Sequence, residues 1–360
     1  MITRLEQVVD AIREYPVQRL AVAAAQSATV LEAVRDAQAA DIASPLLVGD
    51  EAAIRRIADE TAFDLTDVPI IHEPDEAVAA KRAALEVREG RADVLMKGHV
   101  HTDDFLRGLL DRETGLRTDV LMSHVFILDA VGQIGRLLFV TDAAMNIAPD
   151  LVAKAQIVLN AVYLARLFGN ERPRVCVLAA VELVNPNMPA TLDAAALATM
   201  NRRGQFPTCA VDGPFGLDNA VSTLAAEIKG IEGPCAGLGD ILLVPDIEAG
   251  NIMVKTFSFL AGGRVAGVLI GAAAPVVLTS RADTAESKLL SIATAVFVAD
   301  ITRDKKLKIG KVHYSPPLRE FRGLTHRCLS PKLGPWGTDT PRISGTDTPL
   351  SVPETRTLGD

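Results

Sequence analysis

The residues best suited to handling an anion lie at 275–288, Pro-Val-Val-Leu-Thr-Ser-Arg-Ala-Asp-Thr-Ala-Glu-Ser-Lys. A buried β-type run delivers Thr279, Ser280 and Arg281 into what reads as a helix start. Ser280 with Asp283 three residues later has the form of a capping box. Free amide groups at such a start, the helix dipole and the guanidinium fork of Arg281 together suit phosphate oxygens. The same letters also describe an ordinary helix cap with a surface arginine.

A second cluster, Lys97-Gly-His99-Val-His101-Thr102-Asp-Asp, follows an apolar run and precedes an amphipathic stretch carrying Phe105, Leu106, Leu109 and Leu110. Two histidines two residues apart in extended chain share a side, which is the spacing of some metal hydrolases. The chain has only 6 histidines, so a metal site would lean on His72, His124 and carboxylates, and metal chemistry stays a rival reading. Ser123-His124 fails as a catalytic dyad, because adjacent strand residues face opposite sides. Three further polar turns read equally well as caps or as ligand loops. They are Thr141-Asp142 through Asn146, Asp212-Gly-Pro-Phe-Gly ahead of a helix, and Pro245-Asp246-Ile-Glu-Ala-Gly250-Asn251, where Gly250 permits close backbone approach.

These loops need strands behind them. Short apolar runs recur at Arg19-Leu-Ala-Val-Ala, Pro45-Leu-Leu-Val, Asp93-Val-Leu-Met, Arg174-Val-Cys-Val-Leu, Asp240-Ile-Leu-Leu-Val and Val265-Ala-Gly-Val-Leu-Ile, each followed by a longer Ala-rich stretch. That alternation predicts an α/β fold on a parallel sheet. Runs at 121–128 and 136–141 lie close enough to form a hairpin that interrupts it. In open α/β sheets ligands sit beyond the carboxyl ends of strands, where the polar residues above fall.

The 360 residues exceed one average domain, 49% of them are hydrophobic but only 4% aromatic, and the net charge is -8. Such a chain offers no basic field to nucleic acid or anionic membrane, so any anion site is local and the partners are small molecules. Four scattered cysteines read as reduced thiols of a cytoplasmic protein, and the first residues lack the apolar core of a secretory signal. From Arg303 onward the periodicity stops, prolines accumulate and Gly-Thr-Asp-Thr-Pro repeats, which reads as a disordered or loosely packed tail, 303–360. No Gly-x-Gly-x-x-Gly follows the first strand, and neither a P-loop nor a Gly-x-Ser-x-Gly elbow occurs.

In their order and spacing, Lys97-Gly-His-Val-His-Thr, Ser123-His-Val-Phe, Thr141-Asp-Ala-Ala-Met-Asn-Ile-Ala-Pro, Asp212-Gly-Pro, Pro245-Asp-Ile-Glu-Ala-Gly-Asn and Leu278-Thr-Ser-Arg-Ala-Asp resemble the phosphate acetyltransferase/phosphate butyryltransferase family, closer to its butyryltransferase branch. The resemblance runs over roughly residues 10–302. It implies a two-lobed, isocitrate/isopropylmalate dehydrogenase-like α/β fold with an interdomain cleft: one lobe from 1–140 plus 275–302, the other from 141–274. It also implies a homodimer or larger homo-oligomer that exchanges phosphate and coenzyme A on a short acyl group, butyryl or acetyl, with acyl-CoA, phosphate and acyl phosphate as substrates and no bound cofactor. On that resemblance Ser280 and Arg281 hold the phosphate, and Lys97, His99, Thr102, Ser123, His124, Asn146, Asp212, Asn251 and Thr279 contribute to substrate binding. Relatives in the acetyltransferase branch carry an aspartate, implicated as the base, seven residues after the serine matching Ser280, where this chain has Ser287. Asp283, Glu286 or positive surroundings alone remain to activate the thiol. Besides metal chemistry, a non-catalytic acyl-phosphate or coenzyme A binding protein is the other rival.

Overall fold

A computed structural model describes residues 1–129 and 134–304. The last helix runs through Asp304, so the rest of the expected tail lies outside the described residues.

The strands are β1 (Gln18–Ala23), β2 (Ala43–Gly49), β3 (Ile70–His72), β4 (Val94–Lys97), β5 (Ser123–Asp129), β6 (Leu137–Thr141), β7 (Arg174–Leu178), β8 (Ala210–Phe215), β9 (Ile241–Leu243), β10 (Val265–Ile270) and β11 (Val276–Val277). The α-helices between them are α1 (Glu6–Ile12), α2 (Ala28–Ala39), α3 (Glu51–Glu60), α4 (Glu76–Arg88), α5 (Thr102–Leu109), α6 (Leu151–Leu167), α7 (Pro189–Arg202), α8 (Leu217–Val221), α9 (Thr223–Ile228), α10 (Ile247–Lys255) and α11 (Ala285–Asp304). None of the described helices is long and apolar enough to cross a membrane.

Among the described residues all eleven strands join one sheet in the order β3-β2-β1-β4-β11-β10-β5-β6-β9-β7-β8. Two parallel blocks, β3 to β11 and β6 to β8, flank an antiparallel seam formed by β10 and β5. The expected hairpin is β5–β6, with Val125 opposite Thr141 and Asp129 opposite Leu137. The run at 265–270 departs from the parallel expectation, pairing antiparallel with both β5 and β11. An apolar run carries no direction, and residues 271–275 are too few for the crossover that a parallel β10–β11 pair would need. Asp212-Gly-Pro-Phe, expected as a loop, is instead part of the edge strand β8, where Pro214 needs no ladder partner on its open side.

Alternation along the first block sorts its side chains onto two cores. Leu20, Val22, Val94, Met96 and Val277 pack with residues of α2 and α11, whereas Ala21, Ala23, Leu95 and Val276 pack with α4 and α5. The small alanines of β1 meet Ala79, Ala80, Ala83 and Ala84, so α4 lies close against the sheet. Helix α11 is apolar nearly all round, as a buried helix must be, and it packs on β10, α2 and α1. Because β1, β4 and β11 are parallel neighbours, their carboxyl ends open side by side at one edge of the sheet.

Candidate active site

At that edge the loops after β1, β4 and β11 enclose a cavity of about 190 Å³, lined by Ser27, Thr29, Lys97, His99, Thr279, Ser280, Arg281 and Lys288 among others. Gly98 makes the approach possible: a Cβ there would stand 2.3 Å from the Ala24 carbonyl oxygen, and the Gly98 amide donates to Ala23 O at 2.8 Å. That contact pins Lys97 and His99 against the end of β1. Lys97 and Lys288 are only 3% and 1% exposed, so Arg281 and two buried ammonium groups face one small space.

Burial, then the nearby positive charges of Arg281 and Lys288, push the Lys97 ammonium down to about 8. Burial likewise lowers Lys288, whose Nζ donates to the Asp283 carbonyl. Desolvated cations crowded together gain from an anion such as phosphate between them. The unliganded protein loses the Lys97 charge as pH rises through about 8. The KM for phosphate is therefore expected to climb up to about tenfold per pH unit above that point. Steady-state kinetics on the wild type and on Lys97→Arg, which stays charged, will show it, and a wild-type KM that ignores pH would place phosphate elsewhere.

The helix start expected at Ser280 lies further on. Residues 280–284 form a turn in which the Ser280 amide donates to Asp283 Oδ2 at 2.7 Å, and α11 begins at Ala285. Thr284 is the cap, its Oγ1 accepting the Ser287 amide at 3.1 Å. Ser280 and Arg281 thus stand exposed on the turn, ahead of the helix.

A second cavity of about 230 Å³ adjoins the first and shares Thr279 and Ser280 with it. Its polar rim includes Thr102, Asn251, Asp283 and Ser287, and Phe126, Val254, Val265 and Leu278 give it an apolar side. Asn251 reaches it from α10, which Asp246 caps by accepting the Ala249 amide at 2.8 Å, and its Nδ2 donates to Ala143 O at 3.2 Å.

Of the residues singled out from sequence, Lys97, His99, Thr279, Ser280 and Arg281 line the first cavity, and Thr102, Asn251, Thr279, Ser280 and Asp283 the second. His99 Nδ1 also meets Glu76 at 2.9 Å, and His101 is exposed at the start of α5. Glu286 is not brought in: its side chain is 61% exposed and lies 3.9 Å from Arg264. Neither is Asn146, whose amide donates to Met122 O at 2.9 Å and to Asp142 in a loop brace. Asp212 sits on edge strand β8, where Oδ1 accepts the Gly213 amide, and burial raises its carboxyl. Ser123 is buried on the opposite face of β5, taking a hydrogen bond from Asn160 at 2.8 Å. Lys288, Ser27 and Thr29 were missed. Lys288 sits on the helical register four residues past Thr284, and Ser27-Ala-Thr follows a strand end, which are the only traces they leave in the sequence.

His124 is fully buried, and burial drives its imidazole down to about 3, opposed only by a backbone hydrogen bond at Leu278. A histidine kept neutral in the fold but free to protonate when unfolded withdraws stability as pH falls from 6.5 toward 3, by up to about 1.4 kcal/mol per pH unit. Urea unfolding at pH of about 7 and 5 is expected to show a larger drop for the wild type than for His124→Leu. Equal drops would mean that this imidazole is solvated.

Comparisons with known proteins identify the family. The family model described as phosphate acetyl/butaryl transferase matches residues 74–296. Phosphate butyryltransferase of Clostridium acetobutylicum is 46% identical over 299 residues, which is 83% of this chain and 99% of that protein. Phosphate acetyltransferase of Thermotoga maritima is 44% identical over 281 residues, 78% of this chain and 95% of that one. A branched-chain phosphotransacylase from Enterococcus faecalis superposes with a TM-score of 0.68 at 30% identity, covering 79% of this chain and 99% of its own. On these matches the chain belongs to the phosphate acetyl/butyryl transferase family, on the butyryltransferase side.

Proposed function

We propose that this protein exchanges phosphate and coenzyme A on a short acyl group, acyl-CoA + phosphate = acyl phosphate + CoA, by direct transfer within a ternary complex. The observation that carries the reading is the pair of cavities meeting at Thr279 and Ser280, one ringed by Lys97, Arg281 and Lys288, the other apolar on one side and holding Asp283. Phosphate or the phosphoryl end of the acyl phosphate occupies the first. The thioester end of coenzyme A, a substrate here, occupies the second.

In the direction of thioester synthesis, Asp283 takes the thiol proton and the thiolate attacks the acyl carbonyl carbon. The bond between that carbon and the oxygen bridging to phosphorus then breaks, and phosphate leaves with that oxygen into the cationic cavity. Arg281 and the lysines stabilise the charge that accumulates on the departing oxygens, and no enzyme nucleophile is needed. Asp283 serves as base rather than Glu286, because it lines the second cavity while Glu286 faces Arg264.

The two lobes are 1–140 with 275–302 and 141–274, related as in isocitrate and isopropylmalate dehydrogenases. This division is supported by the parallel block β3 to β11, which draws only on 1–140 and 275–302, and by a second cavity that draws Thr102 from one side and Asn251 and Val254 from the other. Exposed Leu183 and Ile228, next to the Glu182–Lys229 ion pair, suit a homodimer or larger homo-oligomer. The buried, unpaired Cys176, Cys209 and Cys235 suit a cytoplasmic enzyme.

Thioester formation from butyryl phosphate and coenzyme A, followed with a chelator present, tests the reading. Turnover that survives the chelator supports it, whereas turnover restored only by a divalent ion would favour the metal rival, and binding without turnover a non-catalytic role.

A further inference from the structure

An acyl group reacting beside Thr279 and Ser280 must extend into the second cavity, one wall of which is made by β5 and β10. On these antiparallel strands Phe126 stands directly opposite Gly267, and His124 opposite Leu269. Residues two apart on a strand share a face. The His124 and Phe126 rings accordingly lie side by side, with centroids 4.3 Å apart and planes tilted by 55°.

Gly267 leaves the space that both rings use. A Cβ at that position would stand 2.6 Å from His124 Cε1 and 3.2 Å from Phe126 Cδ1. The backbone there is held from the helix side, since the Gly267 amide donates to Ser291 Oγ at 3.0 Å. His124 is fully buried while Phe126 is half-buried and lines the cavity beside Val254, Val265 and Leu278. A buried, neutral ring therefore backs an aromatic ring that a ligand can touch. The cavity measures about 230 Å³ and must admit both the thiol end of coenzyme A and the acyl chain, so the place of one ring decides how many methylenes fit.

We propose that the Phe126 ring, seated over Gly267 and backed by His124, is the floor of the acyl pocket and limits the enzyme to short chains. Phe126 is the specificity-determining residue, and His124 and Gly267 are positioning residues that act through it. The proposal rests on the acyl-transfer reading, and it goes further by assigning the chain-length limit to one ring.

The test is kcat/KM with phosphate for acetyl-, butyryl-, hexanoyl- and octanoyl-coenzyme A, measured on the wild type, Phe126→Ala and Gly267→Ala. Phe126→Ala is expected to raise the hexanoyl-to-butyryl ratio at least about tenfold, the low end for one or two methylenes in an apolar pocket. Gly267→Ala pushes the rings into the cavity and is expected to move preference toward acetyl by a similar factor. Uniform loss across all four substrates with unchanged ratios would overturn the proposal, because a merely structural ring lowers every rate together. Should Phe126→Ala fail to fold, Phe126→Leu keeps a packed side chain of shorter reach and is read in the same way. A wild type that turns over none of the four would sink the acyl-transfer reading and the pocket with it, whereas normal wild-type turnover with fixed ratios sinks the pocket alone.

Discussion

Arg281→Lys is expected to lower kcat/KM for phosphate by about a hundredfold or more, and Arg281→Ala by about 10²–10³, the range for a lost donor to developing negative charge. The reason lies in the division of labour around the cavity. Lys97 and Lys288 are buried point charges, and the Lys288 Nζ is already held by the Asp283 carbonyl. Arg281 is the exposed member, carried on the turn between β11 and α11. Its planar fork can follow two phosphate oxygens through the reaction, and lysine cannot reproduce that two-point contact. The measurement is initial rate against phosphate concentration, and full turnover by Arg281→Lys would remove the guanidinium from the mechanism.

Asp283→Asn is expected to reduce kcat by about 10²–10⁴ with little change in the KM for phosphate, the scale of a lost general base. Asparagine keeps an oxygen for the Ser280 amide, which Asp283 Oδ2 accepts at 2.7 Å, so the turn survives and only the basicity goes. Ser287 lines the same cavity at the third position of α11. Adding Ser287→Asp to Asp283→Asn puts a carboxylate back on that wall and is expected to restore part of the rate. Normal kcat in Asp283→Asn would mean that the surrounding positive charge alone activates the thiol.

How legible this site was depended on whether a residue's role follows from its neighbours in the chain. Ser280 and Arg281 follow an apolar run, and Lys97 ends one. Such positions point to the carboxyl edge of a parallel sheet whatever the rest of the fold does. The run at 265–270 was legible as a strand but not in direction, since strand order and sense are set by connections and by packing far away in sequence. Asn146 and Asp212 stand differently. Their loops have the composition of ligand loops, yet Asn146 braces Asp142 and Met122, and Asp212 lies in an edge strand. Local composition cannot tell a polar group satisfied by its own loop from one left for a ligand. Lys288 was hidden for another reason: a lysine on a helix is ordinarily a solvated surface residue. Only the burial of α11 against β10 and α2 turns it toward the first cavity.

In the proposed mechanism the two adjoining cavities pass an acyl group between coenzyme A and phosphate. That transfer is tested most directly by measuring free thiol released from butyryl-coenzyme A by the purified protein, with and without inorganic phosphate. The expected result is release that depends on phosphate, saturates with it and yields an equal amount of butyryl phosphate. Release that is indifferent to phosphate, or none from a folded protein, would contradict the account.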